Sequence, residues 1–135
     1  MKNIRVLMID DNVSLVNMVK EYFSDHASID ISLEAHDGVE GMRLIKENQS
    51  DYDVVILDLI MPKRDGVSVL EEIHDLELNK KVIVLTSYNN ESMIRRVSEL
   101  GINYFILKPF DLNDLERRIV SCFELKEEKK SIDLF

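Results

Sequence analysis

Val54-Val55-Ile56-Leu57-Asp58 is the stretch that decides the fold. Four apolar residues in a row, three of them β-branched, suit a strand covered on both faces, and the run stops at a carboxylate. Working outward, further strand-like runs stand at Ile4–Ile9, Ile29–Glu34, Val82–Leu85 and Tyr104–Leu107. Three of the five are apolar nearly throughout. Ile29–Glu34 alternates apolar and polar residues, so it reads as an edge or less buried strand.

The intervening segments carry helical spacing. Leu15, Val16, Val19, Tyr22 and Phe23 form one stripe, and Val39, Met42, Leu44 and Ile45 a second. A third holds Val67, Val69, Leu70 and Ile73, and a fourth Met93, Ile94, Val97 and Leu100, stopped by Gly101. The fifth holds Leu112, Leu115, Ile119 and Phe123 behind Asp111, a good N-cap, with Asp114 in the first turn. Five strands alternating with five helices predict a doubly wound α/β domain. Right-handed crossovers then gather the strand-to-helix loops along the carboxyl edge of a parallel sheet.

Length and composition agree. A chain of 135 residues, 45% hydrophobic and 32% charged, fits one soluble domain. We expect that domain over residues 1–124. Residues 125–135 then form a charged tail or the start of a linker, since Glu124–Lys130 has only Leu125 uncharged. No apolar run is long enough to span a membrane, and residues 1–10 lack the pattern of a secretory signal. The single cysteine, Cys122, rules out an internal disulfide, suits a cytoplasmic setting and reads as apolar filler in the last helix. A net charge of −9 opposes direct contact with nucleic acid, so any DNA binding belongs to a further domain beyond Phe135.

The chemistry stands at the strand ends. The first strand runs into Asp10-Asp11-Asn12, the third into Asp58, the fourth into Thr86-Ser87 and the fifth into Lys108-Pro109. Open α/β sheets place their ligand site at that edge, so three carboxylates are expected to converge there. Two unit charges ~4 Å apart repel by roughly 4 kcal/mol at an effective dielectric of 20. A divalent cation relieves this. Mg²⁺ suits the site because it takes one or two carboxylates, keeps waters and accepts phosphate oxygens; Ca²⁺ or Mn²⁺ are alternatives. Together these parts suit phosphoryl transfer. Asp58 is the nucleophile, Asp10 and Asp11 hold the metal, Lys108 pairs with the phosphoryl charge and Thr86 hydrogen-bonds it.

Asp10-Asp11-Asn12, Ile56 through Pro62 with Asp65-Gly66, Leu85-Thr86-Ser87 and Lys108-Pro109-Phe110 resemble the motifs of the two-component response-regulator receiver domain. The resemblance spans Ile4 to about Phe123. It implies a flavodoxin-like fold with strand order 2-1-3-4-5, phosphorylation of Asp58, a metal contact from the main-chain carbonyl of Ile60 and a cis bond before Pro109. It implies a phosphoacceptor rather than an enzyme, and a histidine kinase or histidine phosphotransferase as donor. That partner is expected to dock near Asn12–Met18, with Leu15 and Met18 as exposed contacts. Thr86 and Phe105 are the expected switch pair, reshaping the face of the fourth helix, fifth strand and fifth helix. Tyr104–Asp111 and Leu59–Pro62 look most like the sporulation-initiating regulators of endospore-forming bacteria. Ile60 and Tyr88 stand where polar residues guide a hydrolytic water, so slow loss of the acyl phosphate is expected.

Other readings compete. Asp10 or Asp11 alone serves as a helix cap, but one cap does not explain two acids beside a third. His26, His36 and His74 lack metal-ligand spacing and read as surface or half-buried. Asp51 and Asp53 read as turn residues at the opposite edge, and Asp37-Gly38 and Asp65-Gly66 as turns or helix entries. Arg95, Arg96, Arg117 and Arg118 read as solvated helix faces, or as a phosphorylation-dependent homodimer face. A phosphohydrolase of the aspartyl-phosphate type needs Asp-x-Asp, which Asp58-Leu59-Ile60 lacks. A flavin module needs a donor-rich loop after the first strand, where two acids stand instead. A stand-alone phosphorelay intermediate, or a receiver that binds partners without phosphorylation, completes the alternatives.

Overall fold

The computed structural model describes residues 3–87, 91–102 and 104–124. Along the chain lie β1 (Ile4–Ile9), α1 (Val13–Phe23), β2 (Ile29–Ala35), α2 (Gly38–Glu47), a 3-10 turn (Gln49–Asp51), β3 (Val54–Asp58), α3 (Gly66–Asp75), β4 (Lys81–Thr86), α4 (Glu91–Glu99), β5 (Tyr104–Leu107) and α5 (Leu112–Glu124). The strands form one parallel sheet in the order β2-β1-β3-β4-β5. This is the expected flavodoxin-like arrangement. Among the described residues no helix is long and apolar enough to cross a membrane.

Two core layers explain why the strand runs are apolar throughout. Val6, Met8, Val54 and Ile56 pack with Val16, Val19 and Phe23 of α1 and Leu115, Ile119 and Cys122 of α5. Their strand neighbours Leu7, Ile9, Val55 and Leu57 face the other way, onto Met42 and Ile45 of α2, Val69 and Leu70 of α3 and Val97 of α4. Alternate side chains therefore meet different helices, and neither face is free for polar residues.

β2 departs from its simple alternation. It is an edge strand, as its pattern predicts, but its register to β1 slips between Val6 and Leu7, leaving Ser32 without a partner. The bulge flips the faces: Ile29 and Ile31 pack with α1 and α5, Leu33 and Ala35 with the opposite layer. The hydroxyl of Ser32 donates to the carbonyl of Asp51 at 3.0 Å, so the extra residue is tied down.

Helix ends follow local chemistry. Asn12, Asp37 and Asp65 cap α1, α2 and α3 by accepting from Leu15, Glu40 and Ser68 N–H. Asp111 accepts from Asn113 N–H at 2.7 Å at the entry to α5. After α4, Gly101 takes φ +85°, while Ile102 N–H bonds Val97 O and Gly101 N–H bonds Ser98 O. That pair of bonds needs a left-handed residue at the helix stop. Two members of the predicted stripes are exposed, and Ile94 of α4, half-buried, packs with neither layer. Val39 is 56% exposed and Tyr22 37%. Beside Met42 and Ile45, α2 backs onto the sheet at buried Gly41, where a Cβ would stand 2.8 Å from two Ile9 atoms.

Candidate functional site

β1 and β3 are neighbours, with Ile9 opposite Leu57, so the residues that follow, Asp10 just past β1 and Asp58 at the end of β3, stand side by side at the carboxyl edge. One carboxylate oxygen from each of Asp10, Asp11 and Asp58 lies within 4.8 Å of the others. Asp10 is fully buried, Asp58 is buried and Asp11 is exposed, so the cluster opens toward solvent on one side. Lys108, at the end of β5, spans the end of β4 to reach it. Its Nζ lies 2.7 Å from Asp10 Oδ2 and 3.3 Å from Asp58 Oδ2. The Lys108–Pro109 bond is cis. The sequence-predicted acids and the lysine thus meet in one crevice.

The aspartates are not helix caps. Asn12 caps α1, accepting from Leu15 N–H at 3.1 Å. Asp10 Oδ1 takes the N–H of Asn12 at 2.9 Å, and His36 Nδ1 lies 3.0 Å from the Asp10 carbonyl. Asp10 Oδ2 is buried with no aligned hydrogen-bond donor, leaving only the ion pair with Lys108. Asp58 Oδ1 accepts from Ile60 N–H at 3.3 Å. Burial pushes the Asp58 carboxyl up and the charge of Asp10 pushes it further; Lys108 and the Ile60 N–H oppose this without cancelling it. Burial pulls the Lys108 ammonium down, but the bond and charge of Asp10, and then Asp58, outweigh it and leave Lys108 raised. One ammonium serves more carboxylate than it satisfies.

That shortfall is the test of whether a metal fits. A hard divalent cation prefers oxygen ligands, tolerates mixed exposure and adds positive charge where one lysine is shared between two buried carboxylates. Three oxygens from two adjacent loops meet that need, so the donor set fits Mg²⁺.

The other predicted residues fall as follows. Thr86 is buried at the last position of β4, one residue past Leu85, the strand partner of Asp58. Phe105 is half-buried on the α4 side of β5, and its carbonyl accepts from Arg118 Nη1 at 2.8 Å. Ile60 is 46% exposed beside the acids. Met18 is 50% exposed on α1, but Leu15 is only partly exposed because it packs on the core beneath α5. Tyr88 lies outside the described residues, as do residues 125–135. His26 and His36 are half-buried and His74 is exposed, as read from the sequence.

Sequence reasoning missed Arg64. Its guanidinium donates to Ser68 Oγ at 2.8 Å, Ser68 O at 2.9 Å and Glu72 Oε1 at 2.6 Å, from the loop that follows Asp58. The spacing to Ser68 and Glu72, four and eight residues on, was the only available signal, and it becomes meaningful once α3 is known to start at Gly66.

Residues 6–120 match the family model of the response regulator receiver domain, and the chain belongs to that family. Solved structures similar to it include the receiver domain of the Francisella response regulator 1452, 30% identical with a TM-score of 0.79 over 90% of this chain and 98% of that one. A chain of the CheX–CheY–BeF3–Mg complex from Borrelia burgdorferi is 30% identical, with a TM-score of 0.80 over 90% of each. A receiver domain protein from Clostridium thermocellum is 29% identical, with a TM-score of 0.79 over 92% of this chain and 97% of that one. Receiver domains are phosphoacceptor signalling modules of two-component systems, and their counterparts are histidine kinases or phosphotransfer proteins.

Proposed function

We propose that Asp58 takes a phosphoryl group from a phosphohistidine on a histidine kinase or histidine phosphotransferase. The observation that carries this is the meeting of Asp10, Asp11 and Asp58 within 4.8 Å, under a lysine that contacts two of them. An Asp58 oxygen attacks phosphorus, the P–N bond to the donor imidazole breaks, and its electron pair returns to the ring. The product is an acyl phosphate on Asp58. Asp10, Asp11, Asp58 and the carbonyl of Ile60 are the residues that would hold Mg²⁺, with Ca²⁺ or Mn²⁺ as substitutes. Bound there, the cation offsets the negative charge that gathers on the phosphoryl oxygens. Lys108 supplies a second positive charge, and the Thr86 hydroxyl donates to a phosphoryl oxygen.

The docking contact for the donor is the start of α1, with Met18 and the exposed edge of Leu15. Phosphorylation shifts a conformational population through Thr86 and Phe105 to the α4–β5–α5 face. That face then governs a DNA-binding output domain, or a homodimer contact, in the cytoplasm. The closeness of Tyr104–Asp111 to the sporulation-initiating regulators supports a role in sporulation control. The chain is a phosphoacceptor, not a turnover enzyme: exposed Ile60 stands where an aspartyl-phosphate phosphohydrolase has its second acid.

Incubation with acetyl phosphate and MgCl₂, followed by intact mass measurement, tests the central step. Wild type gains one phosphoryl group and Asp58→Asn gains none; equal labelling of both overturns the assignment. Because apolar Ile60 orients no water, Ile60→Asn is expected to speed loss of the label by about tenfold or more. An unchanged rate counts against slow self-hydrolysis arising from that residue.

A further inference from the structure

The loop between Asp58 and α3 contains a turn that residues on its own would not choose. Lys63 has φ +69°, and Arg64 N–H bonds the carbonyl of Pro62 at 2.7 Å across it. A bond spanning three residues around a positive φ is a γ-turn of the strained kind, and a lysine there lacks the freedom of glycine. Such a conformation persists only where its surroundings over-determine it.

Three contacts do so here. Arg64 forks onto Ser68 and Glu72 of α3, and Glu72 is itself paired with Lys46 of α2 at 3.1 Å. Lys63 Nζ lies 3.5 Å from Asp37, the cap of α2. Gly38, the first residue of α2, is pressed against the turn so closely that a Cβ there would stand 1.9 Å from the Arg64 carbonyl oxygen. Upstream, Gly66 N–H bonds Leu59 O at 2.8 Å and Leu59 N–H bonds Leu85 O at 3.1 Å, which pins the base of the loop. Between the pinned base and the clamped turn lies Ile60, whose N–H reaches Asp58.

We propose that Arg64 is a positioning residue for the phosphoacceptor loop: its forked guanidinium holds the strained turn in place and thereby sets Ile60 against Asp58. Arg64 pairs with Glu72 and Ser68, not with Asp10, Asp11 or Asp58. It acts through the loop, and the planar fork matters because Nε, Nη1 and Nη2 each donate to a separate acceptor, a spread that the single nitrogen of a lysine does not span. For metal affinity the inference rests on the proposed phosphoacceptor reading; for loop order it does not.

Two measurements separate those cases. In metal-free protein, amide hydrogen exchange at Ile60 and Arg64 reads the clamp alone. Arg64→Ala is expected to exchange about tenfold faster at both amides, Arg64→Lys to recover only part of the protection, and Glu72→Gln to fall between. Calorimetric titration with MgCl₂ then reads the consequence: Arg64→Ala weakens binding by about tenfold, the scale of lost outer-shell support. Labelling by acetyl phosphate at saturating Mg²⁺ still reaches the wild-type extent, because Asp58 itself is intact. Ile73→Val, which loosens α3 without touching the loop, leaves exchange at Ile60 and Mg²⁺ affinity unchanged. Wild-type protection at Ile60 in Arg64→Ala overturns the proposal, as does an equal loss in Ile73→Val. If wild type binds no Mg²⁺ and takes no label, the phosphoacceptor reading fails while the exchange result still decides the clamp.

Discussion

β3 has an aspartate at each end, and the two lead opposite lives. Asp53, just before the strand, accepts from the Arg5 backbone N–H at 2.9 Å, from its Nε at 3.2 Å and from its Nη2 at 3.3 Å. Burial pushes its carboxyl up, but the hydrogen bonds and charge of Arg5 more than reverse this and leave it lowered. Nearby, Lys80 caps the carbonyls of Gln49 and Tyr52 and lies 4.3 Å from the Tyr52 ring centre. Asp58, at the other end, is raised by burial and by Asp10, with one shared lysine in partial compensation. One end of the strand is a finished ion pair. The other keeps unmet demand for positive charge. The proposed uptake of a cation and a phosphoryl group would need such unmet demand, whereas a structural latch gains by being complete.

The largest expected effect is chemical. Asp58→Asn abolishes phosphoryl uptake in the mass assay, while Asp53→Ala, folded, keeps it; loss in both would erase the distinction between the two ends. Next comes metal. At about 100 times its dissociation constant, Mg²⁺ is expected to stabilise wild type by ~2.7 kcal/mol, read as a rise in Tm. Asp10→Asn should lose most of that rise, and Asp53→Ala none of it.

Smaller effects concern the metal-free protein in EDTA. Asp53→Ala removes charge-assisted bonds and is expected to cost about 2 kcal/mol in denaturant unfolding. Asp58→Asn relieves crowded acids and is expected to gain about 1 kcal/mol, the same order as the repulsion between partly screened charges. A loss of stability in Asp58→Asn would show that Lys108 already satisfies the cluster.

Acidity sharpens the contrast. The raised Asp58 carboxyl burdens the fold in full above its own pKa, and the burden lifts as pH falls through that pKa toward the ordinary aspartate value of 3.8. The lowered Asp53 carboxyl adds stability that is present above 3.8 and is lost as pH falls through its folded value. The gain from Asp58→Asn should therefore shrink on acidification while pH is still above 3.8, and the cost of Asp53→Ala only below it. Overlap of the two windows in paired unfolding curves would remove the difference between the ends.

Much of this is legible in the sequence. The strand runs, the helix stripes, the Gly101 stop and the Asp111 cap depend on neighbours a few residues away, so local pattern was enough. The bulge at Ser32 was not legible, because a register slip depends on which strand lies alongside and what the 3-10 turn offers its hydroxyl. Val39 looked like a core residue for the same reason: its helix face is chosen by Ile9, which leaves room only for Gly41. Arg64 carried no motif, and its role depends on α2 and α3 closing around one loop.

By itself the chain order determined which residues stand at the ends of the strands and, through their alternation with helices, that those ends share an edge. Tertiary structure alone decided that Lys108 reaches two acids, one of them fifty positions earlier in the chain. It also decided that Asp10 is fully buried, with one carboxylate oxygen held by the Lys108 ion pair alone. Charge and hydrogen-bond demand depend on distance and burial in three dimensions, and neither quantity is written in the spacing of residues along one.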